Sequence, residues 1–488
     1  MGRSAPLGSV YWTELKVLRS ILCAGAVRYF GHEKNSSSNV FDYLHPLLKF
    51  LSTPAGLVAF VAGLLVLGYG LQGRRGKEVL IFIAVLTGMV GYFVSKYWNN
   101  TLIGPLEDFR AFCKPLFIIA IALLALRYFL TQGTLRRAPP RGAAVAFLVL
   151  MLAYALRGAV PAPERAVAGS IAMILMFYGV IQLVRRSTRT GEDLAAALSA
   201  VVLGGVAFYV LSIIQLIFGA HDSIVFVNRF AGLSDNPQNV GENTACLILV
   251  ANYLIVSDYS SRRQKMLGII AVALMFPFLL WTGSRTSAGM IAVGLFVMNG
   301  TKVRQWVVFG SLAAIAWEAY SHFYRGADVA AVRLGSTVND RSAGWIYTWG
   351  IFLKHPIFGK FASHTWVENS YLSVAADMGL VGIVLLVVLM ELQARDMLHI
   401  FKYRSRLNPK GQRVCDLALG LSTALAAGMV FDAYLLSLST TQGFFVALAL
   451  ALTGVAVDQA DAVAYPVHAG AAPIRGPTAG PPVGLGQS

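Results

Sequence analysis

Apolar runs of roughly 20 residues follow one another along almost the whole chain, and no other feature restricts the fold as strongly. A hydrocarbon core of about 30 Å takes roughly 20 helical residues to cross. Inside it every backbone N–H and C=O has to be satisfied within the segment, so such runs form helices. They fall near 54–71, 78–97, 115–132, 143–160, 166–184, 194–219, 241–258, 266–282, 286–300, 303–319, 371–393, 414–436 and 440–457, thirteen in all. Basic clusters occupy alternate connections: GRRGK at 73–77, RRAPPR at 136–141, RRSTR at 185–189, SRRQK at 261–265 and RDMLHIFKYRSRLNPKGQR at 395–413. The positive-inside rule makes these connections cytoplasmic, so that 98–114, 161–165, 220–240, 283–285 and 320–370 face outward. The expected fold is all-α, a polytopic integral membrane protein of about 12–14 transmembrane helices.

Composition excludes the main rival classes. Of 488 residues, 56% are hydrophobic and 13% charged, about half the charge of an ordinary soluble domain. The formal charge of +16 sits in the clusters between apolar runs, which is a topology signal and not a nucleic-acid surface. Cys23, Cys113, Cys246 and Cys415 lie far apart, with no metal-type spacing and no disulfide framework, and are expected to be small buried hydrophobes. No secretory signal peptide is visible. In the N-terminal segment 1–47, Trp12, Leu15, Leu18 and Leu22 recur at helical spacing over 11–30, interrupted by Glu14, Lys16 and Arg19. That pattern suits a helix in the interface. An extra span there would give fourteen and would spare the N-terminus an outward-facing basic stretch. The polytopic domain is set at 48–457, and the Pro-, Gly- and Ala-rich residues 458–488 read as a disordered tail.

Three polar stretches on the outward side stand out because the spans themselves are nearly free of charge, and a charged group beside hydrocarbon is costly. VNRFAGLSDNPQNVGENTA at 227–245 brings Arg229 and a turn, with Asn236, to the start of a span, where helix N–H groups and a guanidinium can hold an anion; it also suits an ordinary helix-entry loop. WTGSRTSAG at 281–289 joins two spans with almost no loop, which holds Arg285 at the membrane boundary, facing a ligand phosphate or snorkelling to headgroups. The longest stretch, 341–380, starts with Arg341 and an amphipathic pattern of Trp345, Ile346, Trp349, Phe352, Leu353 and Ile357, closed by HPIFG. His355, just before Pro356, reads as a turn residue. His364 and Glu368 share a face if the following helix reaches back that far, in which case Glu368 is a candidate general base; it equally suits a local cap or pair. From there the stretch is expected to run without a break into a hydrophobic helix.

RFAGLSDNPQN after one long span, TGSRTSAG between two later ones, and R-x-x-x-W-x-x-x-W-x-x-F-x-x-HPIFGKF followed by ENSYLSVAADMGLVGI together resemble the O-antigen ligase/polymerase superfamily, over roughly residues 200–390. The resemblance implies a GT-C-like glycosyltransferase of the bacterial inner membrane with its site in a large periplasmic loop at 320–370. Such an enzyme moves a glycan from an undecaprenyl-diphosphate carrier to a sugar hydroxyl of an acceptor glycan or lipid A-core, with inversion and with neither metal nor cofactor. Arg229 and Arg285 match family arginines and would bind the diphosphate, with Arg341 as a third candidate. Ligases of the family carry His-Asn where this chain has Glu368-Asn369. By position the base becomes Glu368, with His364 as competitor or partner, and Asn369 and Asn236 in support. The acidic variant leans toward a polymerase of O-antigen or exopolysaccharide and away from a ligase. The alternative is a polytopic transporter of bicarbonate or another small anion, distantly similar to the same superfamily.

Overall fold

A computed structural model of the chain describes residues 68, 75–90, 102–131, 135, 138–158, 163–219, 224–226, 229–234, 236–299, 341–360, 369–436 and 440–464. The candidate N-terminal span, the expected spans at 54–71 and 303–319, and residues 361–368 lie outside the described residues or, at residue 68, contribute a single position.

The described chain is helical almost throughout, and the order of elements follows the hydropathy. The helices are α1 (Gly76–Val90), α2 (Gly104–Leu130), α3 (Gly142–Arg157), α4 (Pro163–Met176, then a π-helical turn Phe177–Gln182 and a last stretch Leu183–Ser187) and α5 (Gly191–Phe218). A two-stranded hairpin follows, β1 (Val225–Phe226) with β2 (Arg229–Phe230). Then come α6 (Pro237–Val256), α7 (Arg262–Thr282), α8 (Arg285–Asn299), α9 (Ser342–Lys354), α10 (Ser370–Arg404), α11 (Pro409–Met429) and α12 (Thr441–Ala464). Seven described helices are long and apolar enough to cross a membrane. Their outward faces carry apolar side chains such as Ile118, Leu126, Leu203, Val210, Ile270, Val384 and Val387, all exposed. That is the reverse of a water-soluble surface and the expected covering against lipid. The chain is a polytopic helical membrane protein.

Two helices are buried almost all round. α6 packs against α5, α7, α8, α11 and α12, and α12 against α1, α3, α4, α6, α10 and α11. Polar groups tie the bundle together where hydrophobicity offers no drive between helices. Gln393 Nε2 donates to Ser422 Oγ (3.2 Å) and Thr453 Oγ1 (3.0 Å), linking α10, α11 and α12. Cys113, Cys246 and Cys415 are buried and free, as small hydrophobes should be.

One end of the bundle collects the starts of α6, α8, α9, α10 and α12, tied together by contacts described below, and the other collects the basic clusters. At that basic end the chain does more than mark topology. Arg185, 3% exposed, forks onto Asp458 with Nε–Oδ2 at 3.1 Å and Nη2–Oδ1 at 2.9 Å, while its Nη1 donates to Pro139 O at 2.6 Å. Arg141 bridges Asp458 and Asp461, each at 2.6 Å. Burial works against the Arg141 charge, and the hydrogen bonds to Asp461 and Asp458 outweigh it, holding the guanidinium above its ordinary range. These pairs carry α12 to Ala464, past the end at 457 that hydropathy suggests.

Three further expectations are corrected. The span placed at 414–436 ends at Met429, because Val430–Leu436 leaves the helix to accept hydrogen bonds from neighbouring segments. The helix beginning at Ser370 is not continuous: Gly379 takes φ 62°, ψ −150° and breaks it. The HPIFG turn plugs the break, with Lys360 N donating to Ala376 O (2.7 Å), Leu380 N to Pro356 O (2.7 Å) and Val381 N to Ile357 O (3.3 Å). Arg157 clamps the same turn by donating to Phe358 O and Gly359 O, both at 3.1 Å. Nor are the helices as free of charge as hydropathy implies, since Glu242, Asp377, Asp416 and Asp458 are all buried.

Candidate functional site

The turn between α7 and α8 is the centre of the site. Gly283, in the left-handed conformation at φ 58°, ends α7, and Ser284 opens α8 by accepting from Ser287 N at 3.3 Å. Only Gly283 and Ser284 separate the two helices, so Arg285 becomes the first residue of α8. α6 lies directly on this turn: a Cβ at Gly241 would stand 2.5 Å from Ser287 Oγ, 2.9 Å from Ser284 Cβ and 3.0 Å from Thr282 Oγ1. The absence of a side chain there lets the beginnings of α6 and α8 meet.

All three sequence-predicted arginines are strung along this turn. Arg229 is buried on β2, and its Nε donates to Thr282 O, the last carbonyl of α7, at 2.6 Å. Its neighbour Phe230 anchors the hairpin among Phe278 (4.6 Å between centroids), Trp281 (5.3 Å) and Tyr209 (5.9 Å). Arg285 occupies a helix N-terminus, where the dipole disfavours a cation and favours an anion. Arg341, the N-cap of α9, donates through Nη1 to Thr286 Oγ1 (3.4 Å) and Phe431 O (2.6 Å).

The loop 430–436 extends the chain of contacts to the remaining described candidates. Asn369 caps α10 by accepting from Leu372 N (2.9 Å) and donates its Nδ2 to Val430 O (2.7 Å). Ser370 donates through both N (3.0 Å) and Oγ (2.7 Å) to Asp432 O, and its Oγ receives Tyr434 N and Leu435 N at 3.1 Å each. Asn236 caps α6 by accepting from Gln238 N (2.9 Å), and Gln238 reaches Phe431 O at 3.5 Å. Asn369 therefore serves as a structural pivot. Asn369→Ala is expected to cost about 1 kcal/mol for the lost cap, with a further loss at Val430, measured as a lower melting temperature in detergent; Asn369→Asp keeps the cap acceptor and loses only the bond to Val430.

Five helix N-termini meet here, those of α6, α8, α9, α10 and α12, and none has an acidic residue in its first turn. Three arginines and these dipoles give one end of the bundle a positive potential, which favours an anion over a cation. α9 runs along its edge with Ile346, Trp349 and Leu353 exposed and Trp345 resting on Phe431 (6.5 Å between centroids), the geometry of a helix seated in the interface. His355 closes α9 and accepts from Gly359 N at 2.9 Å, a turn residue as its position before Pro356 suggests. His364 and Glu368 lie outside the described residues.

No protein-family model and no curated protein matches the chain.

Sequence reasoning missed a buried polar group behind the arginines, Gln238, Asn239 and Glu242 on α6 and Gln442 on α12, with half-buried Asp432 in the loop. Gln442 Nε2 donates to Asn239 Oδ1 (2.8 Å) and Glu242 Oε2 (3.0 Å). The signal was present as polar residues in NPQNVGEN and as the lone acid of VFDAYLL, both inside stretches otherwise assigned to spans or their entry.

Proposed function

We propose that this chain is an inner-membrane glycosyltransferase that takes a glycan from an undecaprenyl-diphosphate carrier and joins it to an acceptor sugar hydroxyl on the periplasmic side, in O-antigen or exopolysaccharide polymerisation or in O-antigen ligation. One observation carries it: Arg229, Arg285 and Arg341 follow one tight turn, at the end of the bundle where five helices begin and away from the basic clusters. A diphosphate leaving group gathers negative charge as its bond to the sugar breaks, and guanidinium forks and helix dipoles oppose that charge without moving a proton. The exposed apolar edge of α9 and the lipid-facing helices suit a substrate with a polyprenyl tail. Glu368, with His364 beside it in sequence, is the base that the family resemblance puts forward. The break at Gly379 is a feature that transporters use to bind substrate, but here the freed backbone groups are taken by residues 356–360, which favours the transferase.

Arginine substitutions test this directly. In a deletion strain complemented with Arg229→Ala, Arg285→Ala or Arg341→Ala, surface polysaccharide on a gel is expected to fall sharply while the protein persists in the membrane. Wild-type product from Arg229→Ala and Arg285→Ala would sink the diphosphate assignment. Glu368→Gln compared with His364→Ala at matched expression then decides between the two bases.

A further inference from the structure

The exposed face of α10 changes character along its length. Val384, Val387, Glu391, Arg395, Leu398 and Lys402 follow one another at steps of three or four and are all exposed, so they form one stripe along a helix that is unbroken past Gly379. The stripe is apolar at Val384 and Val387 and basic toward Lys402. Contacts with neighbouring helices show where the bundle ends along it. His399 Nε2 lies 2.9 Å from Asp461 Oδ1, and Asp461 is also held by Arg141, the N-cap of α3. The level of His399 is therefore the level at which α3 begins. Leu398 stands at that polar boundary, and Phe401, Lys402 and Arg406 stand past it. Leu398 and Phe401 are 68% and 69% exposed, so no described element packs over them.

The cations at this end fall into two sets. Arg141 and Arg185 are bound to Asp458, Arg404 to Asp416 and Arg395 to Glu391. Lys402, Arg406 and Lys410 are exposed and have no acidic partner among the described residues. They rest on tyrosine rings instead: Lys402 Nζ lies 5.3 Å and Arg406 Cζ 5.2 Å from the Tyr403 centroid, and Lys410 Nζ lies 5.2 Å from that of Tyr259. The acid beside Tyr259, Asp258, is exposed and pairs with none of them. A ring face holds a cation without neutralising it, so Tyr403 keeps two like charges side by side. A lipid whose chains lie on the apolar part of the stripe brings its headgroup to these charges. A free anion would have no use for Leu398 and Phe401, and a zwitterionic headgroup would bring a cation of its own.

We propose that this end of α10 binds an anionic phospholipid of the leaflet at the basic end, with Lys402 and Arg406 on the headgroup and Leu398 and Phe401 against the upper part of the acyl chains. Tyr403 positions the two cations, and Lys410 adds charge from the start of α11. Topology requires only that basic residues be numerous in this connection; it does not require two of them on one ring beside an exposed Leu and Phe. The site is at the opposite end of the bundle from the arginine turn and does not rest on the glycosyl-transfer reading.

The test uses the full chain in nanodiscs of equal parts phosphatidylcholine and phosphatidylglycerol, transferred to mild detergent, with the retained lipids counted by mass spectrometry. Phosphatidylglycerol is expected in excess over phosphatidylcholine. Lys402→Gln with Arg406→Gln should cut that excess by roughly 5-fold for each cation removed, the scale of one basic residue at an anionic surface, whereas Lys402→Arg should keep it. Arg262→Gln with Arg263→Gln removes the same charge from the exposed start of α7 and should leave the excess unchanged. Equal losses in the two double variants would mean attraction to net charge alone and would overturn the site. Displacement of the phosphatidylglycerol by inorganic phosphate would overturn it too, because the cations would then hold a free anion. Equal retention of both lipids by the wild-type chain would overturn the proposal and leave the exposed face to a protein partner. That last comparison needs no variant, so it decides the matter even if a substituted chain fails to accumulate.

Discussion

Gly379→Ala is expected to reduce sharply the amount of folded protein that can be extracted from membranes and to lower its melting temperature in detergent. At φ 62° and ψ −150° the backbone is in a region that only glycine occupies readily, which alone costs on the order of 1–3 kcal/mol for another residue. The new Cβ would also stand 2.5 Å from Gly359 N and 2.6 Å from both the carbon and the oxygen of the Ile357 carbonyl. These are backbone atoms, which cannot swing aside as a side chain can. Relief would mean expelling the HPIFG turn, which leaves Leu380 N and Val381 N without their acceptors and Ala376 O without its donor. Gly350 is the control, since a Cβ there meets nothing within 4 Å; Gly350→Ala should be neutral or slightly stabilising. Equal melting temperatures for the two variants would show that the turn does not depend on the break.

Asp458→Ala should cost about 3–5 kcal/mol, the usual penalty for leaving one member of a buried ion pair behind. Arg185 would keep its charge at 3% exposure with only Pro139 O as its remaining acceptor named above, and Arg141 would lose one of its two carboxylates. The expected readout is a large fall in thermal stability with the protein still inserted. Replacing the pair together, Arg185→Met with Asp458→Leu, should recover most of the loss, because an apolar pair of similar size avoids desolvating two charges. No recovery in the double variant would mean that the ion pair carries a role beyond holding α4 to α12.

Much of the architecture was legible in the sequence because the bilayer imposes it. A span declares itself by length and apolarity, and the expected runs at 166–184, 194–219, 241–258 and 266–282 all correspond to observed helices within a few residues. The amphipathic stretch from 341 was legible from its tryptophans, and it forms α9 with those apolar side chains exposed along it. The arginines were legible for a related reason: a guanidinium next to hydrocarbon is rare enough to notice without knowing its neighbours. Asp458 was not, because it follows the last apolar run directly and looks like the first residue of a polar tail. Glu242 and Asp432 escaped for a similar reason, each being one acid near the end of a run whose average hydropathy stays high.

The sequence by itself determined that the chain is a bundle of membrane helices, roughly where they start and stop, and that Arg229, Arg285 and Arg341 stand at their ends. Those properties follow from local chemistry, since transfer into hydrocarbon is decided residue by residue within a single segment. Only the tertiary structure decided that the three arginines belong to one turn, that HPIFG fills a break in α10, and that Gln442 on α12 holds Asn239 and Glu242 of α6, some 200 positions earlier. Each of these is a contact between segments remote in sequence. Its energy depends on distance and burial after the helices have packed, and neither quantity exists in any one segment.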